Sequence, residues 1–141
     1  MPYATQQDLI DRYGEDELIA LTDRANPPAG AIDAAVVARA LADADSLIDG
    51  YVGSRYALPL AEVPPLLTQI ACAVARYRLA KDGPTENLTK DHDTALRTLR
   101  DIADGRLALP VGETETPAPA SVGVAIAGPG RVFSADTLKD F

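Results

Sequence analysis

Between residues 36 and 52, apolar side chains recur every three or four positions as Val36/Val37, Ala40/Leu41, Ala44, Leu47/Ile48 and Tyr51/Val52, with Arg39, Asp43, Asp45 and Asp49 on the opposite face. This spacing predicts an amphipathic helix that buries one stripe, and Asp33 ahead of it suits an N-cap. The run from Leu66 to Ala80 is apolar almost all round, and Pro64 and Pro65 fit its first turn, so it is expected to be the central helix. Lys81-Asp82-Gly83-Pro84 breaks that run. A further stripe follows in Leu88, His92, Ala95/Leu96, Leu99 and Ile102/Ala103, ended by Gly105, after which Leu107 and Leu109 are expected to pack back on the core.

Two short helices precede these. Thr5 with Asp8 makes a capping pair, Leu9, Ile10 and Tyr13 supply a stripe, and Gly14 takes the position that stops the first helix. Glu15, Asp16 and Glu17 place negative charge where the next helix dipole favours it, and that helix ends near Asp23. Asn26-Pro27-Pro28-Ala29-Gly30 reads as a loop. Beyond Pro110 the composition turns to Gly, Glu, Thr, Pro and Ala, which bury too little apolar surface to offset their ordering entropy. The expectation is an all-α helical bundle of about four to five helices over residues 1–109, a Pro/Ala/Thr-rich linker over 110–121 and a flexible docking arm over 122–141. Within that arm Val122, Val124 and Ile126 alternate with small residues in a strand-like way.

One stretch interrupts the helical pattern: Gly50-Tyr51-Val52-Gly53-Ser54-Arg55-Tyr56-Ala57-Leu58-Pro59-Leu60. An extended backbone here puts Tyr56, Leu58 and Leu60 on one side and Arg55, Ala57 and Pro59 on the other. Two readings stand. The stretch is a connector whose apolar side seals the bundle, with Arg55 in solvent or capping the preceding helix, or it is an interface in which Tyr51, Arg55 and Tyr56 meet a neighbour, since Tyr and Arg are enriched at protein contacts.

Composition narrows the chemistry. The 141-residue chain suits one domain, and 21 acidic against 13 basic residues give a net charge of -8 that repels phosphate backbones. One cysteine excludes an internal disulfide, and one Cys with one His does not make a Cys/His zinc site. The N-terminal residues have neither the basic nor the apolar region of a signal peptide, and no apolar run approaches roughly 18 residues, so a soluble protein of the cytoplasm is expected.

Candidate chemical groups are few. Asp91, His92 and Asp93 are consecutive on one helix and do not converge, so His92 is read as a packing residue. Asp45 and Asp49 share a helix face and are expected to be solvated or to face another subunit. Cys72 lies in the most apolar segment with no evident cation nearby and is read as a small hydrophobe. No phosphate loop, nucleophile elbow, zinc-protease motif or dinucleotide fingerprint is present, and the reading is of a protein without catalytic residues, metal or cofactor. The alternative is a small helix-turn-helix DNA-binding regulator built on the first two helices; Glu-Asp-Glu at the start of the second opposes it, because a recognition helix needs basic or amide side chains toward base edges.

In combination, Tyr-Ala-Thr-Gln-Gln-Asp-Leu-Ile-Asp-Arg-Tyr-Gly near the start, Asp-Ala-Asp-Ser-Leu-Ile-Asp-Gly-Tyr-Val-Gly-Ser-Arg-Tyr-Ala-Leu-Pro-Leu in the middle, Val-Pro-Pro-Leu-Leu after it and Arg-Val-Phe-Ser-Ala-Asp-Thr-Leu-Lys-Asp-Phe at the end resemble the head-to-tail joining proteins of Mu-like bacteriophages and prophages. The resemblance implies a helical adaptor of the virion, made in the host cytoplasm, that forms a homo-oligomeric ring at the head-tail interface. Its implied partners are the portal protein and tail-side connector or terminator proteins. It would let DNA pass without specific binding and would contact no membrane. Interface candidates are Tyr51, Arg55 and Tyr56 in the middle and Arg131, Val132, Phe133, Leu138 and Phe141 in the arm.

Overall fold

The computed structural model describes residues 2–80 and 82–111, and five helices account for most of them: α1 (Gln6–Tyr13), α2 (Glu15–Thr22), α3 (Ala34–Val52), α4 (Pro65–Leu79) and α5 (Glu86–Ala103). The described residues contain no strand, so the architecture is all-α.

Each boundary has a local cause. Thr5 and Asp8 close a full capping box at the start of α1, with side chain and backbone satisfying one another in both directions. Gly14 then serves two helices at once. Its φ of 91° lets its N–H donate to Ile10 O at 2.8 Å while the chain turns directly into α2, a conformation that a residue with a Cβ adopts only under strain. Asp33 caps α3 by accepting from the amides of Ala35 and Val36, and Thr85 caps α5 by accepting from Leu88 N. Pro65 opens α4, where a missing amide costs nothing.

The loop between α2 and α3 is organised by two side chains. Thr22, wholly buried, donates to Leu18 O and accepts from Asp33 N, tying the end of α2 to the cap of α3. Asp23 accepts from the amides of Gly30, Ala29 and Ala25, which holds its carboxyl below the usual range.

As expected, α4 is central: it packs against α3, α5 and α1. Leu67, Ile70, Val74 and Leu79 are buried on it, each worth roughly 1.5–3 kcal/mol by area removed from water. Ala71, Cys72 and Ala75 are buried between them, small enough to let the neighbouring helices approach closely. The amphipathic faces of α3 and α5 complete the core with Val37, Ala44, Ile48, Val52, Leu99 and Ile102.

Beyond α5 the return to the core is partial. Leu109 is buried, but Leu107 remains 37 % exposed, contrary to the expectation for it. The reason is local: the amides of Arg106 and Leu107 both turn back to Asp101 O, which curls this segment and aims Leu107 outward before the chain reaches the core.

Candidate functional site: the loop end of the bundle

The interrupted stretch joins α3 to α4, and its first residues are not extended. Gly53 N donates to Asp49 O at 2.9 Å, Arg55 N and Tyr56 N both donate to Val52 O, and Ser54 Oγ donates to Tyr51 O, so the chain keeps turning after the helix ends. Tyr56 swings inward to 1 % exposure. Its hydroxyl accepts the Leu109 amide at 2.9 Å and thereby ties the segment after α5 to the loop after α3.

Arg55 lies beside this tie. Its guanidinium carbon is 5.9 Å from the Tyr56 ring centroid, and Nη1 sits where a Cβ on Gly105 would fall, 2.6 Å away. Gly105 has a φ of 81°, so its backbone favours glycine, whereas the Arg55 guanidinium is the far end of a flexible side chain that can shift. Arg55 and Tyr51 are half-buried rather than presented fully outward.

Leu58 corrects another expectation. Tyr56 and Leu60 enter the core, but Leu58 is 39 % exposed and folds its side chain back on Gly53, where an added Cβ would meet Leu58 Cδ1 at 3.1 Å. The alternation fails because the chain bends at Leu58 and Pro59 instead of continuing extended from Tyr56 to Leu60. Among the described residues Leu58 and Leu107 are the exposed large hydrophobics, and they lie on the two segments that the Tyr56–Leu109 and Arg55–Gly105 contacts join. Tyr56, which the sequence offered both as a core-sealing residue and as an interface candidate, is buried and braces the loop after α3 against the segment after α5. Arg131, Val132, Phe133, Leu138 and Phe141 lie outside the described residues, as do the linker and the strand-like alternation of Val122, Val124 and Ile126.

Two polar clusters were not foreseen. Tyr3 N donates to Asp45 Oδ1 at 3.0 Å, the Tyr3 hydroxyl donates to Asp49, and Tyr3 O accepts from Thr68 Oγ1 at 2.8 Å. The Asp45/Asp49 pair, expected to be solvated or inter-subunit, therefore holds the N-terminal segment against α3 and α4. Burial raises the pKa of Asp45 and of the Tyr3 phenol. The second cluster centres on Arg76, which pairs with Glu17, lies 3.6 Å from Asp91 and stacks over the Tyr13 ring at 4.2 Å, so one guanidinium joins α1, α2, α4 and α5. The helical spacing of Asp45 and Asp49 was visible in sequence, but their partners are more than 40 positions away.

A family model described as bacteriophage Mu, Gp36 matches residues 3–127. The chain belongs to this family. The Mu-like prophage FluMu protein gp36 of Haemophilus influenzae is 34 % identical over 139 residues, covering 99 % of this chain and 97 % of that protein. Gene product J of Escherichia phage Mu is 42 % identical over 106 residues, 75 % of this chain and 74 % of that protein. The chain is accordingly a phage protein of the Mu Gp36 family, and the matched region contains all five helices and the whole loop end.

In this Gp36-family chain the acid-base and nucleophilic candidates are absorbed by packing. His92 stacks on Tyr77 with centroids 3.9 Å apart and planes 14° from parallel, and burial lowers its pKa. Cys72 is fully buried, and burial pushes its thiol up to about 11; Arg12 is close enough to oppose this, a cation the sequence did not reveal, but desolvation dominates. The first turn of α2 directs Glu17 onto Arg76, leaving only carboxylates there for a DNA groove to meet. Among the described residues no group of three or more metal-ligating side chains converges, and no helix is long and apolar enough to cross a membrane.

The described residues also form concavities, among them one of about 410 Å³ beside the ends of α2 and α4 and a groove of about 370 Å³ between α1, α4 and α5. Leu66, Ile70, Ala73 and Ala95 contribute the groove's apolar surface, and Gln69, Thr94 and Thr98 contribute polar groups.

Proposed function

We propose that this chain is a non-enzymatic structural protein of the virion, a head-tail connector or adaptor that assembles as a homo-oligomeric ring between portal and tail. The observation that carries the reading is the loop end of the bundle. There Tyr56 of the Mu-like signature is tied to Leu109, and Leu58 and Leu107 stay exposed on the two joined segments. Exposed apolar side chains on braced segments suit a protein that meets portal and tail components. The acidic balance supports the same role, because a ring around passing DNA works best when it repels phosphate.

The test is a phage carrying Leu58→Glu with Leu107→Glu. Both positions are exposed, so the protein folds and its circular dichroism is unchanged, while lysates are expected to contain filled heads and free tails that fail to join. Normal numbers of joined particles by electron microscopy would overturn the reading of this surface, and normal particles in a null strain would overturn the connector role itself.

A further inference from the structure

We infer that the groove between α1, α4 and α5 is the seat for residues 131–141 of a second copy of this chain. The inference rests on the ring reading above.

The groove and the segment are chemically matched. The groove floor is apolar at Leu66, Ile70, Ala73 and Ala95, and the segment Arg-Val-Phe-Ser-Ala-Asp-Thr-Leu-Lys-Asp-Phe carries the apolar residues Val132, Phe133, Leu138 and Phe141. On the rim Thr94 offers a hydroxyl to an incoming backbone, and Thr98, whose hydroxyl donates to Thr94 O, still offers an acceptor. Exposed Arg12 on the rim complements Asp136 and Asp140, and Asp91 complements Arg131 and Lys139. Two-sided matching of this kind fixes register, which a purely apolar slot does not.

Chain length points to a neighbour as the donor. Residues 112–130 are 19 in number, so fully extended they would span roughly 63–68 Å at most. The 19-residue α3 is about 28 Å long, close to the width of a small domain. A connection whose maximum span exceeds two domain widths is long enough to deliver its end to the adjacent copy. Linking each copy to the next also supplies the head-to-tail contact that a closed ring requires, and the apparent affinity rises with each copy already in place.

The full-length double variant Thr98→Cys, Leu138→Cys tests this, with Cys72→Ala to remove the native thiol and Arg39→Cys, Leu138→Cys as the control away from the groove. Particles assembled in infected cells, and the purified chain at high concentration, are oxidised mildly and run on denaturing non-reducing gels. The expected result is a ladder of multiples of the 14.8 kDa chain, at least tenfold stronger than the control and reduced by adding Ala73→Glu to the groove. An intrachain product alone would place the segment on its own domain and overturn the second-copy assignment, and cross-linking no stronger than the control would overturn the groove itself. Absence of the chain from particles sinks the connector reading, while the purified-chain arm still decides this one.

Discussion

Tyr56→Phe removes a single oxygen from the centre of the loop end. The ring keeps its place in the core, so the change isolates the hydrogen bond from the Leu109 amide at 2.9 Å. Tyr56 is 1 % exposed and Leu109 5 %, and water has little access to the amide once the hydroxyl is gone. A buried donor left unmatched costs about 1–3 kcal/mol, more than the net worth of an ordinary hydrogen bond. For a folded unit of roughly 110 residues the unfolding entropy is on the order of 0.23 kcal/mol per degree, which converts this to a fall in Tm of about 4–13 °C. Urea unfolding followed by helical circular dichroism should show a lower midpoint with an unchanged slope, since the buried surface is the same. The loss is also expected to appear locally. Amide exchange at Leu109 should accelerate roughly fivefold to 150-fold, because segment 104–111 loses its tie to the loop after α3. An unchanged midpoint together with unchanged protection at Leu109 would refute the claim that this bond holds the departure point of the C-terminal region.

Two further outcomes follow from the polar clusters. Arg76→Met should cost about 1–3 kcal/mol by urea denaturation, a value discounted because Glu17 is about a third exposed, and Glu17→Gln in the same background should recover part of it by removing the stranded charge; a loss below about 0.5 kcal/mol would show that the ion pair is decorative. The folded-state pKa of His92 lies below its unfolded value, so the stability associated with its neutral form is present above the unfolded pKa and lost as pH falls through the folded one. Because the chain has one histidine, the urea midpoint should decline between about pH 7 and pH 5.5 in the wild type, and His92→Phe should flatten that decline; an equal slope in both would assign the dependence elsewhere.

Much of the fold was legible because it is written in local periodicity. The stripes on α3 and α5, the Asp33 cap, the stop at Gly14 and the all-round apolar α4 each depend on neighbours within about four positions, and each appears where the pattern predicts. The functional surface was less legible. Tyr56 was open to a core reading and an interface reading, and neither showed that its hydroxyl meets the amide of Leu109, 53 positions later. Leu58 looked like a core residue by alternation, yet the chain bends at Leu58 and Pro59 and leaves it exposed.

The helices, their caps, the acidic balance and the Mu-like signature follow from short stretches of sequence, because propensity, charge and motif are local properties. Long-range packing set the grip of Asp45 and Asp49 on Tyr3, the junction of four helices at Arg76, and the exposure of Leu58 and Leu107, the large apolar side chains left at the surface among the described residues. Those outcomes depend on which distant groups packing brings within hydrogen-bonding reach and which side chains a turn directs away from the core, and neither is encoded in the spacing along the chain.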